Sequence, residues 1–296
     1  MLINSIRKIK KKFYSNIIEN LYLYFFSNSK NIQDCKNINN IIKKYKKRNL
    51  SHWEEISFIV LKKLFKYGFD NFLRIRDIKN TMFVDKEKNF RKYLSLVDLE
   101  KDYEIIKENP FGNPKLSEKA KFTSINKLHQ FYHLKFFNKI YKKRNTDCFV
   151  ELGGGYGLLC LLTIKYFRPK KYIIYDLEGF LLIQKKYLKA ILSNSEFNKI
   201  EFISDINLLY KKLSKIKRYN FFALWSYSEM NFELRKLFIN MIKNSKYFLF
   251  GYQDNFLKLD NRKYFIDFIK NNNNFLVSRK KHPCYPRNYY LIGKNK

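Results

Sequence analysis

The stretch Asp147-Cys148-Phe149-Val150-Glu151-Leu152-Gly153-Gly154-Gly155-Tyr156-Gly157-Leu158 decides how this chain of 296 residues folds. Cys148, Phe149 and Val150 suit a short strand covered on both faces. The apolar run from Leu158 to Phe167 suits a helix that packs back on the sheet. Between them Glu151, Gly153, Gly155 and Gly157 fall at alternate positions through the turn. Glycine at these places lets the backbone turn sharply and lets a ligand come close to main-chain N–H groups.

Two cofactor classes use turns of this kind. A dinucleotide site requires G-x-G-x-x-G, but counted from Gly153 the third glycine would fall at Leu158. The turn is E-x-G-x-G-x-G instead. A pyrophosphate would be repelled by Glu151. S-adenosylmethionine carries an ammonium and a sulfonium and no phosphate, so a nearby carboxylate favours it. The pattern resembles motif I of the class I (Rossmann-like) SAM-dependent methyltransferases. The competing reading is a glycine turn without a ligand, and the segments that follow weigh against it.

The run Lys171 to Asp176 predicts a second strand ending in a carboxylate, 19 residues beyond Gly157. There Asp176 is placed to accept hydrogen bonds from both ribose hydroxyls, a role compatible with capping the next helix. Ile200 to Ile203 predicts a third strand, followed by Ser204-Asp205. In methyltransferases of this class an acid at that place often meets the adenine amino group, so the resemblance makes Asp205 a candidate. Asn220 to Trp225 predicts the fourth strand, beside the first across the switch point, with Ser226 to Met230 at the mouth of the site. Tyr247 to Gly251 reads as the fifth. The runs 275–278 and 289–293 read as an antiparallel pair at the sheet edge.

Methyl transfer to oxygen needs a group that takes the hydroxyl proton. Glu229 is the first candidate, just beyond the fourth strand. The rival reading makes Ser226-x-x-Glu229 a capping box. His129 and His133 stand behind it. They lie four apart on a helix expected over about 124–141, hence on one face. That spacing can bind a metal, but no Glu follows His129 as in H-E-x-x-H, so packing against acceptor or cofactor is preferred and no metal ligand is assigned.

Composition bounds the rest. A hydrophobic fraction of 46%, with 29 Phe and 23 Tyr, supports a large core. A net charge of +34 would ordinarily indicate nucleic acid or an anionic membrane. Lys, Asn, Ile, Phe and Tyr are abundant throughout while Ala, Gly and Pro are scarce, as an AT-rich genome produces, so the charge weighs little. Cys35, Cys148, Cys160 and Cys284 form no C-x-x-C pair, which fits a reduced, cytoplasmic protein. No signal peptide or membrane span is expected. The basic start, with Ile6, Ile9, Phe13 and Ile17 at helical spacing, offers peripheral membrane contact or, more simply, a packed helix. Ser51-His52-Trp53-Glu54 predicts a helix start, and Asn109 to Pro114 a turn cluster ending a helical region.

Gly112-Asn113-Pro114, Phe149 to Gly157 (FVELGGGYG), Tyr172 to Leu177 (YIIYDL) and Ser226 to Met230 (SYSEM) together resemble a narrower group, the sugar O-methyltransferases of bacterial surface-polysaccharide clusters. The resemblance runs from about residue 105 to the C-terminus. Glu178 stands where that family often has proline. The resemblance implies an α/β class I SAM-methyltransferase fold: a seven-stranded, mostly parallel sheet with its last strand antiparallel, preceded by a helical N-terminal region. It divides the chain into a helical region, 1–112, and a SAM-dependent methyltransferase domain, 113–296. Glu151, Gly153, Gly155, Gly157, Asp176 and Asp205 are the expected S-adenosyl-L-methionine contacts, with Glu229, His129 and His133 as catalytic candidates. The implied acceptor is a sugar or glycan hydroxyl, nucleotide-linked or lipid-linked. The alternatives are an RNA methyltransferase and a SAM-fold protein that only binds a partner. Against RNA base methylation, the fourth strand ends in W-S-Y-S-E and not in D-P-P-Y or N-P-P-Y.

Overall fold

The computed structural model describes residues 32–83, 86–141, 148–273 and 275–296. The basic stretch Met1 to Phe26, with its expected membrane contact, and Asp147 lie outside the described residues. The chain divides into two compact units, one of residues up to 85 with 108–126, the other of 86–107 with 127–296.

The first unit is helical, with Ile32–Tyr45, His52–Tyr67 and Arg76–Met82. The Ser51 N–H donates to Glu54 at 2.9 Å, satisfying a donor that the helix start would leave open. The cut expected at 112/113 falls inside this unit, and hydrogen bonds explain why. Leu73 N–H donates to Gly112 O at 3.0 Å. Asn113 Nδ2 donates to Asn71 Oδ1 at 2.7 Å, and Arg74 Nε to Asn113 O at 2.7 Å. Gly112 has φ +80°, and a Cβ there would lie 2.2 Å from Phe72 Cε1. The Gly112-Asn113-Pro114 motif therefore has a packing reason within the helical unit.

The second unit carries the sheet. Its strands are β1 (Cys148–Leu152), β2 (Lys171–Tyr175), β3 (Ile200–Ile203), β4 (Asn220–Leu224), β5 (Tyr247–Gln253), the ribbon β6 (Asn255–Phe256) and β7 (Leu259–Asp260), then β8 (Phe275–Lys281) and β9 (Asn288–Asn295). The seven-stranded sheet has the order β3-β2-β1-β4-β5-β9-β8. β9 pairs antiparallel with both β5 and β8, and the remaining pairs are parallel. This is the seven-stranded, mostly parallel sheet that the strand–helix alternation predicted. β1 is buried along its whole length, as a central parallel strand must be. Order reverses at β1, flanked by β2 and β4, which opens a crevice above its carboxyl end.

One expected element differs, and a second segment breaks into short pieces. The strand read as ending at Trp225 ends at Leu224, because Trp225 turns to φ +68°. The apolar run after Phe232 forms two short helices, Phe232–Lys236 and Ile239–Lys243, since Leu237 and Phe238 N–H groups bond three residues back. Among the described residues no helix is long and apolar enough to cross a membrane.

Candidate functional site

The glycine turn is built by β1 and the helix Leu158–Phe167. Gly153, Gly155 and Gly157 have φ of 73°, 55° and 98°, which L side chains rarely adopt. Gly157 N–H closes the turn on Gly154 O at 2.8 Å. At Gly153 a Cβ would lie 2.4 Å from Ser226 Cβ, and at Gly157 3.1 Å from Leu188 Cδ1. Those two glycines thus let the end of β4 and the helix Glu178–Ile191 press against the turn.

Two carboxyls meet this turn. Asp176, just past β2, accepts Gly154 N–H at 2.9 Å and Gln184 Nε2–H at 2.7 Å on Oδ2, and Leu177 N–H at 2.8 Å on Oδ1. Three of its roughly four acceptor positions are filled, so Oδ1 keeps one, enough for one ribose hydroxyl where the sequence reading expected two. Burial pushes its pKa up to about 7, against these hydrogen bonds. Glu151 is 2% exposed on β1, and its Oε2 accepts the Tyr172 hydroxyl at 2.8 Å. Burial, with the nearby Asp176 charge, raises it to about 8. Asp205 is exposed and caps the helix Ile206–Leu213, taking Leu208 N–H on Oδ1 at 2.8 Å. Burial raises the Tyr175 phenol, and the nearby charges of Asp205 and Asp176 add to it.

Against the glycine turn, β4 ends in a strained corner. A non-glycine residue at φ +68° costs on the order of 1–3 kcal/mol and persists only where its surroundings fix it. Trp225 is fixed by its N–H to Gly251 O at 2.7 Å and its Nε1–H to Asn288 Oδ1 at 2.9 Å. Its carbonyl takes the Ser228 hydroxyl at 2.7 Å and Glu229 N–H at 3.1 Å. The corner turns the single-turn helix Ser226–Glu229 toward β1, where the Ser226 hydroxyl donates to Leu152 O.

Glu229 is not a cap. The N-cap position is Trp225, with no side-chain cap bond, and Ser226 spends its hydroxyl on Leu152. The Glu229 Oε1 instead accepts Gln253 Nε2–H at 3.2 Å, and Gln253 Oε1 accepts the Ser228 hydroxyl at 3.2 Å. Burial raises the Glu229 carboxyl to about 7.

His129 and His133, fully buried on the helix Ile125–Tyr141, face Trp225 with ring centroids at 5.7 and 5.5 Å. The structure adds His282, which no sequence pattern assigned. Burial holds His129 and His133 well below the usual histidine range and His282 at about 4, so all three are neutral at pH 7. Each offers a nitrogen within 4.8 Å of the others, a set that suits a transition-metal ion. The hydrogen bonds favour another arrangement. His282 Nδ1 accepts Cys284 and Tyr285 N–H groups, each at 3.2 Å, so its proton sits on Nε2. That N–H points at His129 Nε2, 3.3 Å away. Ligation through Nε2 would move that proton to Nδ1, where two N–H groups already donate. His133 Nδ1 shares a proton with the Tyr290 hydroxyl at 2.8 Å.

Asp176 and the glycine turn thus meet at the carboxyl end of β1, on which Glu151 lies, and the helix that carries Glu229 touches that end through Ser226. His129 and His133 line the inner face of Trp225. Gln184, Trp225, Arg235, Gln253 and His282 were missed. One signal was available for His282: the chain has 4 histidines, and three of them converge here.

No protein-family model matches the chain, and a search of curated proteins finds no match. Solved structures of similar fold include the methyltransferase domain of a bacterial Hen1 (CtHen1), at 12% identity and TM-score 0.44, covering 56% of this chain and 97% of that one. TrmK of M. capricolum, in complex with S-adenosyl-homocysteine, matches at 16% identity and TM-score 0.38, over 54% and 67%. An O-methyltransferase family protein from Burkholderia thailandensis matches at 10% identity and TM-score 0.39, over 57% and 59%. At this level the likeness concerns the path of the chain and identifies no acceptor.

Proposed function

We propose that this chain is an S-adenosylmethionine-dependent O-methyltransferase that acts on a sugar hydroxyl, with Glu229 as the general base. The observation that carries the reading is the Glu229 carboxyl. It sits three residues beyond Ser226, whose hydroxyl donates to Leu152 O at the head of the glycine turn, it is raised to about 7, and it serves no capping role. A base with a pKa near the operating pH is the group that hydroxyl methylation requires.

The residues fit the cofactor. Glu151 and Asp176 offer carboxylates to a ligand with an ammonium, a sulfonium and ribose hydroxyls, and the glycine turn is tied to Asp176 through the Gly154 N–H. When bound, S-adenosylmethionine supplies an electrophilic methyl on sulfur with a good leaving group built in. The protein's task is then to align the acceptor oxygen and hold its proton. Gln253 fixes the Glu229 Oε1, leaving Oε2 as the oxygen that takes that proton. Asp176 Oδ1 takes one ribose hydroxyl, and Asp205 stands at the adenine end.

The sugar acceptor rests on the resemblance of Gly112 to Pro114, Tyr172 to Leu177 and Ser226 to Met230. An anionic carrier such as a nucleoside diphosphate suits a chain of net charge +34. The same charge favours RNA as the second reading. The test supplies methyl-labelled S-adenosylmethionine and the purified protein to an extract, then separates saccharides from RNA. Label in saccharide, lost with Glu229→Gln while cofactor affinity is kept, is the expected result. Label in RNA alone transfers the acceptor to the second reading. A protein that binds no cofactor at millimolar concentration is a binding module, not an enzyme.

A further inference from the structure

Arg235 lies on the short helix Phe232–Lys236 with 0% exposure. Among the described residues no carboxylate pairs with it. A buried guanidinium without a counter-charge is costly, so its retention needs a reason. Its hydrogen bonds supply one. Nε donates to Met230 O at 2.9 Å and Nη2 to Ser228 O at 2.8 Å. These two carbonyls bracket Glu229. Nη2 also donates to Asn261 Oδ1 at 2.6 Å, which ties the guanidinium to the start of the helix Asn261–Lys270. Aromatic rings enclose the cation, with Cζ 4.5 Å from the Tyr264 centroid and 4.9 Å from that of Phe232.

The helix Ser226–Glu229 is a single turn, so its last carbonyls have no following N–H groups to accept from. A cap would need only one such contact. Arg235 instead grips the chain on both sides of Glu229 with a planar fork that a lysine cannot reproduce. Burial raises the Glu229 carboxyl, and Gln253 of β5 donates to it. What sets the state of Glu229 is its removal from water, and that depends on the turn staying closed.

We propose that Arg235 is a positioning residue for Glu229: by clamping the Ser228 and Met230 carbonyls it holds the carboxyl against Gln253 and shielded from solvent. The role rests on Glu229 being the base, but its test does not. The Glu229 side-chain carboxyl is titrated by carbon-13 NMR in the wild type, in Arg235→Lys and in Asn261→Ser, with Glu229→Gln assigning the signal. Thermal midpoints and calorimetric binding of S-adenosylmethionine report whether each variant is folded with its cofactor side intact. Asn261→Ser is the milder change, since it frees one anchor and keeps the cation. In Arg235→Lys the midpoint is expected to fall by one unit or more from about 7 toward the ordinary glutamate range, with cofactor affinity within twofold of wild type. Asn261→Ser is expected to move it the same way by less. An unchanged midpoint in folded Arg235→Lys, or in Asn261→Ser if the first does not fold, overturns the proposal and leaves Arg235 as a helix cap. Failure of the base assignment gives a different result: Glu229→Gln keeps turnover while the midpoint still moves with Arg235.

Discussion

Replacing Glu151 by Gln tests why a glycine turn should carry a buried acid. With a pKa of about 8, Glu151 is ionised in only about a tenth of molecules at pH 7. The groups facing it are the Tyr172 hydroxyl from β2, the Cys160 thiol from the helix Leu158–Phe167, and Asp176. None is a cation. A ligand that brings an ammonium and a sulfonium makes the ionised form favourable and drives the proton off. Cofactor binding at pH 7 should therefore release close to one proton from Glu151, with affinity rising about tenfold per pH unit below pH 8 and levelling above it. Asp176, at about 7, titrates in the same window, so the Glu151 share is read as the difference between wild type and Glu151→Gln. Calorimetry in two buffers of unlike ionisation enthalpy measures it. Stability changes with pH in the opposite direction. A carboxyl whose folded pKa is raised from 4.5 to about 8 contributes fully below 4.5, and that contribution is lost as pH rises to 8. The ceiling on the loss is ~5 kcal/mol, at about 1.4 kcal/mol per unit. Gln keeps the acceptor for Tyr172 and has no charge to bury, so its thermal midpoint should gain on wild type steadily from pH 5 to 8. Equal proton release in the two proteins would refute the pairing of Glu151 with a cationic ligand.

Asp176→Ala leaves the Gly154 and Leu177 N–H groups without their acceptor, takes one of two acceptors from the Gln184 amide, and removes the proposed ribose contact. It should weaken S-adenosylmethionine binding by roughly 1–3 kcal/mol, and unchanged affinity by calorimetry would remove Asp176 from the site. Gly153→Ala forces a side chain into φ +73° and within 2.4 Å of Ser226 Cβ. It should cost at least ~2 kcal/mol in denaturant unfolding, partly recovered by Ser226→Gly, and additive effects would deny the contact. Glu229→Gln should lose turnover and the rise of kcat through about pH 7, so a retained acid limb would assign that titration to another group.

What the sequence determined about this protein is what neighbouring residues settle among themselves. The buried run before Gly153 and the helical run after Leu158 made β1, turn and helix readable, because strand and helix periods are local. The acid ending β2 followed from the same pattern, as did the antiparallel pair of β8 and β9. Tertiary structure decided the rest. Ser226-x-x-Glu229 satisfies the capping-box pattern as well as a catalytic one. Only the parallel pairing of β4 with β5 brings Gln253, 24 residues on, against Glu229, while Leu152 takes the Ser226 hydroxyl. His129 and His282 are separated by 153 residues, and no local pattern links them. Gly112 marked a domain boundary in the sequence, yet it is bound to Phe72 and Leu73 by packing and hydrogen bonding that its turn chemistry does not encode. Local propensity fixes where the chain turns. Burial and hydrogen bonding between distant segments fix which side chains are left to do chemistry, and a carboxyl becomes a base near pH 7 only through those contacts.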